Sequence, residues 1–236
     1  MLDILAFGAH PDDVELFAGG TMAKMAAIGY STGIVDMTRG ELGTRGTPAL
    51  RKKESEKAAE ILQLKVRENL NLPDGQVPVN PAARLKVIRM LRKHRPRVVL
   101  THHWDDKHPD HTATSRLVEE AVHHSGLAKI KTGQERYRPE ALLFYKVPAH
   151  CIPNFIVDIS KHCEQRNAAI RAYRSQLYDP SSRELSTKLS HPDFLSNIES
   201  IHSYYGTLIG TQAGEAFVMK GALEIRDLID HFAKRK

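Results

Sequence analysis

The chain has 236 residues, of which 41% are hydrophobic and 26% charged, and it carries a formal net charge of +6. That length suits one domain able to bury a full core, and the balance excludes a disordered or low-complexity chain. No apolar run approaches the roughly 18 residues that suggest a membrane span. The opening residues already include Asp3, His10, Asp12, Asp13 and Glu15, which argues against an ordinary signal peptide and for a cytoplasmic protein without membrane partners.

In chain order the pattern alternates. Ile4 to Phe7 is a short apolar run of the kind that fills a buried strand, ended at Gly8. Val14 to Ile28 predicts a helix closed by Gly29, with Gly19 and Gly20 marking close packing on the sheet. Residues 31–38 predict a second strand and 39–47 a glycine-rich loop. Thr47 and Pro48 read as N-cap and first helical position of a helix to about Leu64. Residues 66–72 predict a third strand, ended by the turn Pro73, Asp74, Gly75. Asn80 and Pro81 start a helix through Leu85, Ile88 and Leu91, and 97–103 is a strand rich in β-branched residues. A helix from Asp110 to His124 closes near Gly126. Strands are expected at 141–147 and 155–159, and helices at 161–176 and 193–205.

Strands alternating with helices imply an α/β fold: a Rossmann-like, mainly parallel sheet with helices on both faces, in a single domain spanning 1–236. Residues 178–193 form a long surface loop expected to be a mobile flap. The two cysteines, Cys151 and Cys163, lack a CxxC spacing and are read as small buried residues, which argues against a disulfide framework or a thiolate zinc site.

Basic residues gather at Arg51, Lys52 and Lys53, at Arg89, Arg92, Lys93, Arg95 and Arg97, and at Lys234, Arg235 and Lys236. No nucleic-acid module or aromatic platform accompanies them, so they are read as solvated helix faces and a frayed tail, with no nucleic-acid partner. A basic balance also suits an anionic small substrate.

Two polar crowds fall where a buried strand gives way to a helix. The first is AHPDDVE, residues 9–15; the second is HHWDDKHPDH, residues 102–111. Carboxylates at the end of a buried strand need a cation or a metal, because burying an unpaired charge is costly. In open α/β sheets ligands bind outside the carboxyl ends of the strands, so the two loops, on neighbouring strands, would form one site. His10, Asp13 and His111 then offer two imidazoles and one carboxylate, a set suited to one catalytic zinc per chain with a coordination position left open, though iron, cobalt and manganese accept the same donors. Asp12 would take a proton from water as general base. His108, its ring held by Asp110 in the imidazolium form, would stabilise an oxyanion or protonate a leaving amine. Either motif alone is weak evidence for a metal and reads first as a turn or helix cap for Asp and a surface role for His, but the two together are stronger, and each brings more polar groups than a cap requires. His102, His103, Asp105 and Asp106 fit either support of the site or an ordinary surface loop. His123 and His124 are accounted for by the helix C-terminus.

At these residues the chain resembles the zinc-dependent N-acetylglucosaminyl deacetylases of the LmbE-like (PIG-L) family. AHPDDVE matches the first motif and HPDH, 108–111, the second; the likeness continues through TRGELGTRGT, RKKESEKAA, NLPDG and YGTLIGTQAGEAF. Within the family these segments look most like the bacillithiol-biosynthesis deacetylases, which act on N-acetylglucosaminyl malate. The resemblance implies metal binding by His10, Asp13 and His111, a base at Asp12, and oxyanion stabilisation by His108 with Asp110. It also places Arg51 facing the substrate, where a guanidinium would suit malate's carboxylate. Some relatives carry a flap tyrosine where this chain has Phe194, so His108 alone, or Tyr178, Tyr204 or Tyr205, would supply that hydrogen bond. A homo-oligomer, hexameric in relatives, is expected.

The leading function is therefore removal of an N-acetyl group from an N-acetylglucosaminyl conjugate. A mycothiol precursor, a chitooligosaccharide or an antibiotic glycoside are alternative substrates to the malate conjugate. Dinucleotide binding is disfavoured, because Gly8 to Asp13 is not GxGxxG and its aspartates would repel a pyrophosphate. A basic nucleic-acid-binding protein is the remaining alternative, distinguished by steeply salt-dependent affinity.

Overall fold

Ile4–Gly8 (β1) is buried at every residue and sits at the middle of the main sheet. The computed structural model describes residues 1–233; the basic stretch Lys234, Arg235 and Lys236 lies outside them. After β1 the chain runs through Asp13–Ala27 (α1), Thr32–Asp36 (β2), Pro48–Ile61 (α2), Val66–Asn69 (β3), Pro81–His94 (α3), Val98–His102 (β4), Pro109–Ser125 (α4) and Ala141–Tyr145 (β5). It continues with Phe155–Asp158 (β6), Cys163–Arg171 (α5), Phe194–Leu208 (α6), Gly214–Phe217 (β7) and Leu228–Phe232 (α7).

The five strands β3-β2-β1-β4-β5 are all parallel. Leu5, Phe7, Val35 and Val99 pack against Val87, Leu91, Leu117 and Val118 of α3 and α4 on one face. Ala6, Ile34 and Leu100 pack against Val14, Met22, Ala58 and Ala169 of α1, α2 and α5 on the other. The expected α/β architecture is thus observed. Strand order reverses between β1 and β4, and this is where a doubly wound sheet opens a crevice.

The starting signals of α2 and α3 act as caps. Thr47 Oγ1 accepts from Leu50 N at 3.2 Å and Asn80 Oδ1 from Ala83 N at 2.9 Å, with a proline following each. Several details differ from expectation. β6 and β7 pair antiparallel in a separate two-stranded sheet, joined to β5 by a bridge between Phe144 and Val218. The strand β7 has only four residues, one of them Glu215, so it lacks the apolar run that would announce it. The expected helix 161–176 is a 3₁₀ turn at Ser160–His162 and then a helix ending at Arg171.

Gly19 and Gly20 mark close packing on α5 and the small β6-β7 sheet rather than on the main sheet. A Cβ on Gly19 would meet Arg166 at 3.2 Å, and one on Gly20 would meet Ile159 at 2.8 Å and Glu215 at 3.0 Å. The glycines let Glu215 reach the backbone of α1, where it accepts from Gly20 N at 2.8 Å and Thr21 N at 2.7 Å. Cys151 and Cys163 are free and only partly buried, where small buried residues are expected. No described helix is long and apolar enough to cross a membrane.

Candidate active site

The two polar loops meet because β1 and β4 are hydrogen-bonded neighbours. Asp13 opens α1 and is 5% exposed; it lies at the centre of three imidazoles. Its Oδ2 is 3.3 Å from His10 Nδ1 and 3.3 Å from His102 Nε2, and its Oδ1 is 3.2 Å from His111 Nε2. The same carboxylate takes His10 N–H at 2.8 Å, which fixes the turn. Burial alone would raise Asp13, but the surrounding imidazoles hold it well below the usual carboxylate range.

Each candidate histidine ligand presents one ring edge to Asp13 and the other to further carboxylates. His10 Nε2 lies 3.0 Å from Asp74 and 3.2 Å from Asp110. His111 Nδ1 lies 3.1 Å from Asp106, whose Oδ2 is also 2.7 Å from Lys146 Nζ. Metal-bound histidines characteristically use their second nitrogen in this way, which fixes the ring and its tautomer. The donor atoms of His10, Asp13 and His111 lie within 4.8 Å of one another. The contacts to Asp13 match the edge of a zinc tetrahedron, roughly 3.3 Å for bonds near 2.0 Å. The residues present therefore fit a divalent metal. Burial would lower His10, yet the hydrogen bonds with Asp110, Asp13 and Asp74 push it up to about 12, so the carboxylate cluster demands positive charge at this position.

Asp12 precedes α1 with φ 115°, in the left-handed region. That conformation costs about 1–3 kcal/mol in a non-glycine residue and persists only where its surroundings hold it. Arg51 does so: its Nη2 donates to Asp12 Oδ2 at 2.9 Å and to Pro11 O at 2.5 Å. Arg51 is 5% exposed, so it neither extends into solvent nor pairs with Glu41 or Glu54. Burial pushes the Asp12 carboxyl up to about 7 against the pull of that guanidinium.

Asp110 does not hold the ring of His108 as expected. Its carboxylate accepts from Gly75 N at 2.7 Å and Val77 N at 3.0 Å and faces His10, so it ties the turn after β3 to the site. The His108 ring instead caps α4, its Nδ1 accepting from Asp110 N at 3.2 Å. Burial and the neighbouring charges of His111 and His10 keep His108 below its ordinary value. A neutral ring that accepts at Nδ1 carries its hydrogen on Nε2, which makes His108 a hydrogen-bond donor rather than an imidazolium.

Asp74 escaped sequence reasoning, since Pro73-Asp74-Gly75 has the composition of any turn. His102, left open above, is fully buried at the end of β4; its Nε2 accepts from Ala9 N at 3.1 Å and its ring stacks on His111 at 4.1 Å. Asp106 and Lys146 belong to the support of His111. His103 is buried beside Trp104, away from the ligands.

His10, Asp12, Asp13, Asp74, His108 and His111 line a cavity of about 1250 Å³. Leu16, Phe17, Phe194, Ile198 and Ile201 form its apolar wall, and Lys107, Lys188 and His191 lie at its rim. Phe194 opens α6 and packs with Leu16 and Ile170. Of the three tyrosines considered, Tyr205 lines the cavity, but its hydroxyl donates to Val147 O at 3.2 Å. Tyr178 and Tyr204 are exposed elsewhere.

An imidazole–carboxylate cluster at the switch point of a doubly wound sheet defines the class: an α/β protein whose strand ends carry donors able to hold a divalent metal. Residues 5–122 match the family described as PIG-L, GlcNAc-PI de-N-acetylase. Diacetylchitobiose deacetylase of Thermococcus kodakarensis is 31% identical over 227 residues, covering 90% of this chain and 80% of that protein. Among solved structures, the conserved protein TT1542 from Thermus thermophilus superposes with a TM-score of 0.86 at 42% identity, covering 96% of this chain and 98% of that one. The N,N'-diacetylchitobiose deacetylase of Pyrococcus horikoshii, in complex with an inhibitor, gives 0.81 at 29% identity, covering 97% and 85%. The chain belongs to the PIG-L family.

Proposed function

We propose that the chain is a metal-dependent hydrolase that removes the acetyl group from an N-acetylglucosaminyl conjugate with an anionic aglycone, malate being our specific choice. The observation that carries this reading is Asp13 set among imidazoles whose outer edges are themselves held by carboxylates. A divalent ion held by His10, Asp13 and His111, for which we propose zinc, supplies Lewis acidity toward the amide carbonyl and acidifies a water.

The chain's own groups do the rest. Asp12, a base near neutrality, takes a proton as water adds to the carbonyl carbon, and Arg51 keeps its carboxylate oriented. His108 donates its Nε2 hydrogen toward the carbonyl oxygen as negative charge develops. The proton on Asp12 then passes to the amine nitrogen as the C–N bond breaks, leaving acetate and a free amino sugar. Leu16, Phe17 and Ile198 suit the carbon face of a pyranose, while Lys107 and Lys188 suit an anion at the rim.

A chitooligosaccharide is the second reading, favoured by the likeness to a diacetylchitobiose deacetylase along 90% of this chain. Acetate release from the malate conjugate, diacetylchitobiose and a neutral methyl N-acetylglucosaminide separates the two. The highest kcat/KM is expected for the malate conjugate; preference for the disaccharide would replace the first reading with the second, and no acetate from any of them would refute both.

A further inference from the structure

A second group of metal-ligating side chains stands at the mouth of the same cavity, apart from the cluster around Asp13. Asp105 follows β4, and His150 and Cys151 follow β5, and these strands are parallel neighbours whose last paired residues are His102 and Tyr145. The two loops therefore leave the sheet side by side. His150 Nε2 lies 2.9 Å from Asp105 Oδ2, and one donor atom from each of Asp105, His150 and Cys151 lies within 4.8 Å of the others.

The backbone on both sides is fixed. Asp105 N–H donates to His103 Nδ1 at 3.1 Å and Cys151 N–H to Pro148 O at 2.9 Å. Cys151 packs beside Val147, Tyr205 and Ala216, so its position is set by the small sheet. The side chains of His150 and Asp105 are 70% and 56% exposed, and an exposed ion pair contributes only about 0–1 kcal/mol, too little to compete with a metal. Cys163 differs, its thiol being directed at Ile159 O at 3.4 Å and belonging to no such cluster of three donors among the described residues.

We propose that Asp105, His150 and Cys151 form a second, weaker site for a thiophilic divalent cation, zinc foremost, which ties the loop after β4 to the loop after β5. Sulfur, nitrogen and oxygen donors in a set of three, all within 4.8 Å of one another, suit a tetrahedral ion with one position left for water. Binding displaces the thiol proton to solvent, with no change of oxidation state. Because Asp105 and His150 line the cavity, the bound ion braces its mouth, and zinc beyond the tightly held equivalent lowers turnover.

The coordination does not depend on the deacetylase reading, and cobalt tests it without an assay. The cluster around Asp13 offers only nitrogen and oxygen, so a second equivalent of cobalt added to the intact one-metal protein is expected to give a thiolate-to-metal charge-transfer absorption that the first does not. Cys151→Ser should abolish that absorption and Cys163→Ser should leave it intact. Absence of the absorption in the wild type, or its survival in Cys151→Ser, would overturn the site. In turnover, Cys151→Ser should relieve inhibition by excess zinc; equal inhibition of variant and wild type would overturn the bracing role.

Discussion

Two carboxylate-rich regions flank the first turn of α1, and they are satisfied differently. Below the site, Glu15 and Asp36 close on Arg67: its Nη1 meets Glu15 at 2.5 Å, and its Nε and Nη2 meet Asp36 at 2.9 Å each. Tyr173 donates to Glu15 at 2.8 Å. All four side chains are nearly out of reach of water, and this ion cluster supplies its own cation. In the site itself, Asp13, Asp74 and Asp110 converge on histidines instead, which are cations only when protonated. The same residue type is neutralised by a built-in arginine in one region and by titratable imidazoles in the other.

The largest effect expected from breaking the upper region is chemical. Asp12→Asn should retain metal and fold yet lose ~10² to 10⁴ in kcat, since an amide cannot accept the water's proton. Near-native turnover in that variant would remove Asp12 from the chemistry. Breaking the lower region should instead cost stability. Arg67→Met leaves two buried carboxylates unpaired, and removing one partner of a buried ion cluster costs about 3–5 kcal/mol, readable as a lower midpoint of urea unfolding. An unchanged midpoint would mean that the cluster is held by something other than its arginine.

Arg51 links the two behaviours, being a buried arginine whose partner, Asp12, is the proposed base. If it positions Asp12, Arg51→Lys should lower kcat by ~10-fold on the neutral and the anionic glycosides alike, with little change in KM. A loss confined to KM for the malate conjugate would return Arg51 to the substrate-binding role that the family resemblance implies.

A smaller effect concerns pH. His202, behind the apolar wall, is lowered to about 3 by burial and by Arg166, whose Nη1 is 2.5 Å from its Nδ1. The unfolded imidazole takes a proton below about 6.5 while the folded one does not until about 3. Its contribution is therefore fully present above pH 6.5 and is lost as pH falls through that window, by at most ~1.4 kcal/mol per pH unit. His202→Gln should flatten the acid limb of stability by that slope, and an identical slope in both proteins would show that His202 titrates alike in the folded and unfolded states.

The sequence makes the strand ends legible because β1 and β4 are short apolar runs abruptly followed by charge, and His10, Asp12, Asp13, His108 and His111 all lie in those few residues. The supporting groups are harder to read. Asp74 sits in a turn whose composition explains it without a site. Arg67 occupies a four-residue strand and looks like any exposed strand arginine, because its partners Glu15 and Asp36 are 52 and 31 residues away. Gly19 and Gly20 signal close packing, but a helix touches neighbours on two sides, and only the fold shows that theirs are Arg166, Ile159 and Glu215.

Metal content is the most direct test of the account, measured by elemental analysis on protein freed of weakly held ions, together with acetate release. The wild type should retain about one equivalent of a divalent metal per chain, as expected of a catalytic centre with three protein ligands. His111→Ala should lose that metal and acetate release together while unfolding as cooperatively as the wild type. Metal retained undiminished in His111→Ala, or acetate released at the wild-type rate by metal-free protein, would contradict the assignment of His10, Asp13 and His111 as the centre on which the reaction depends.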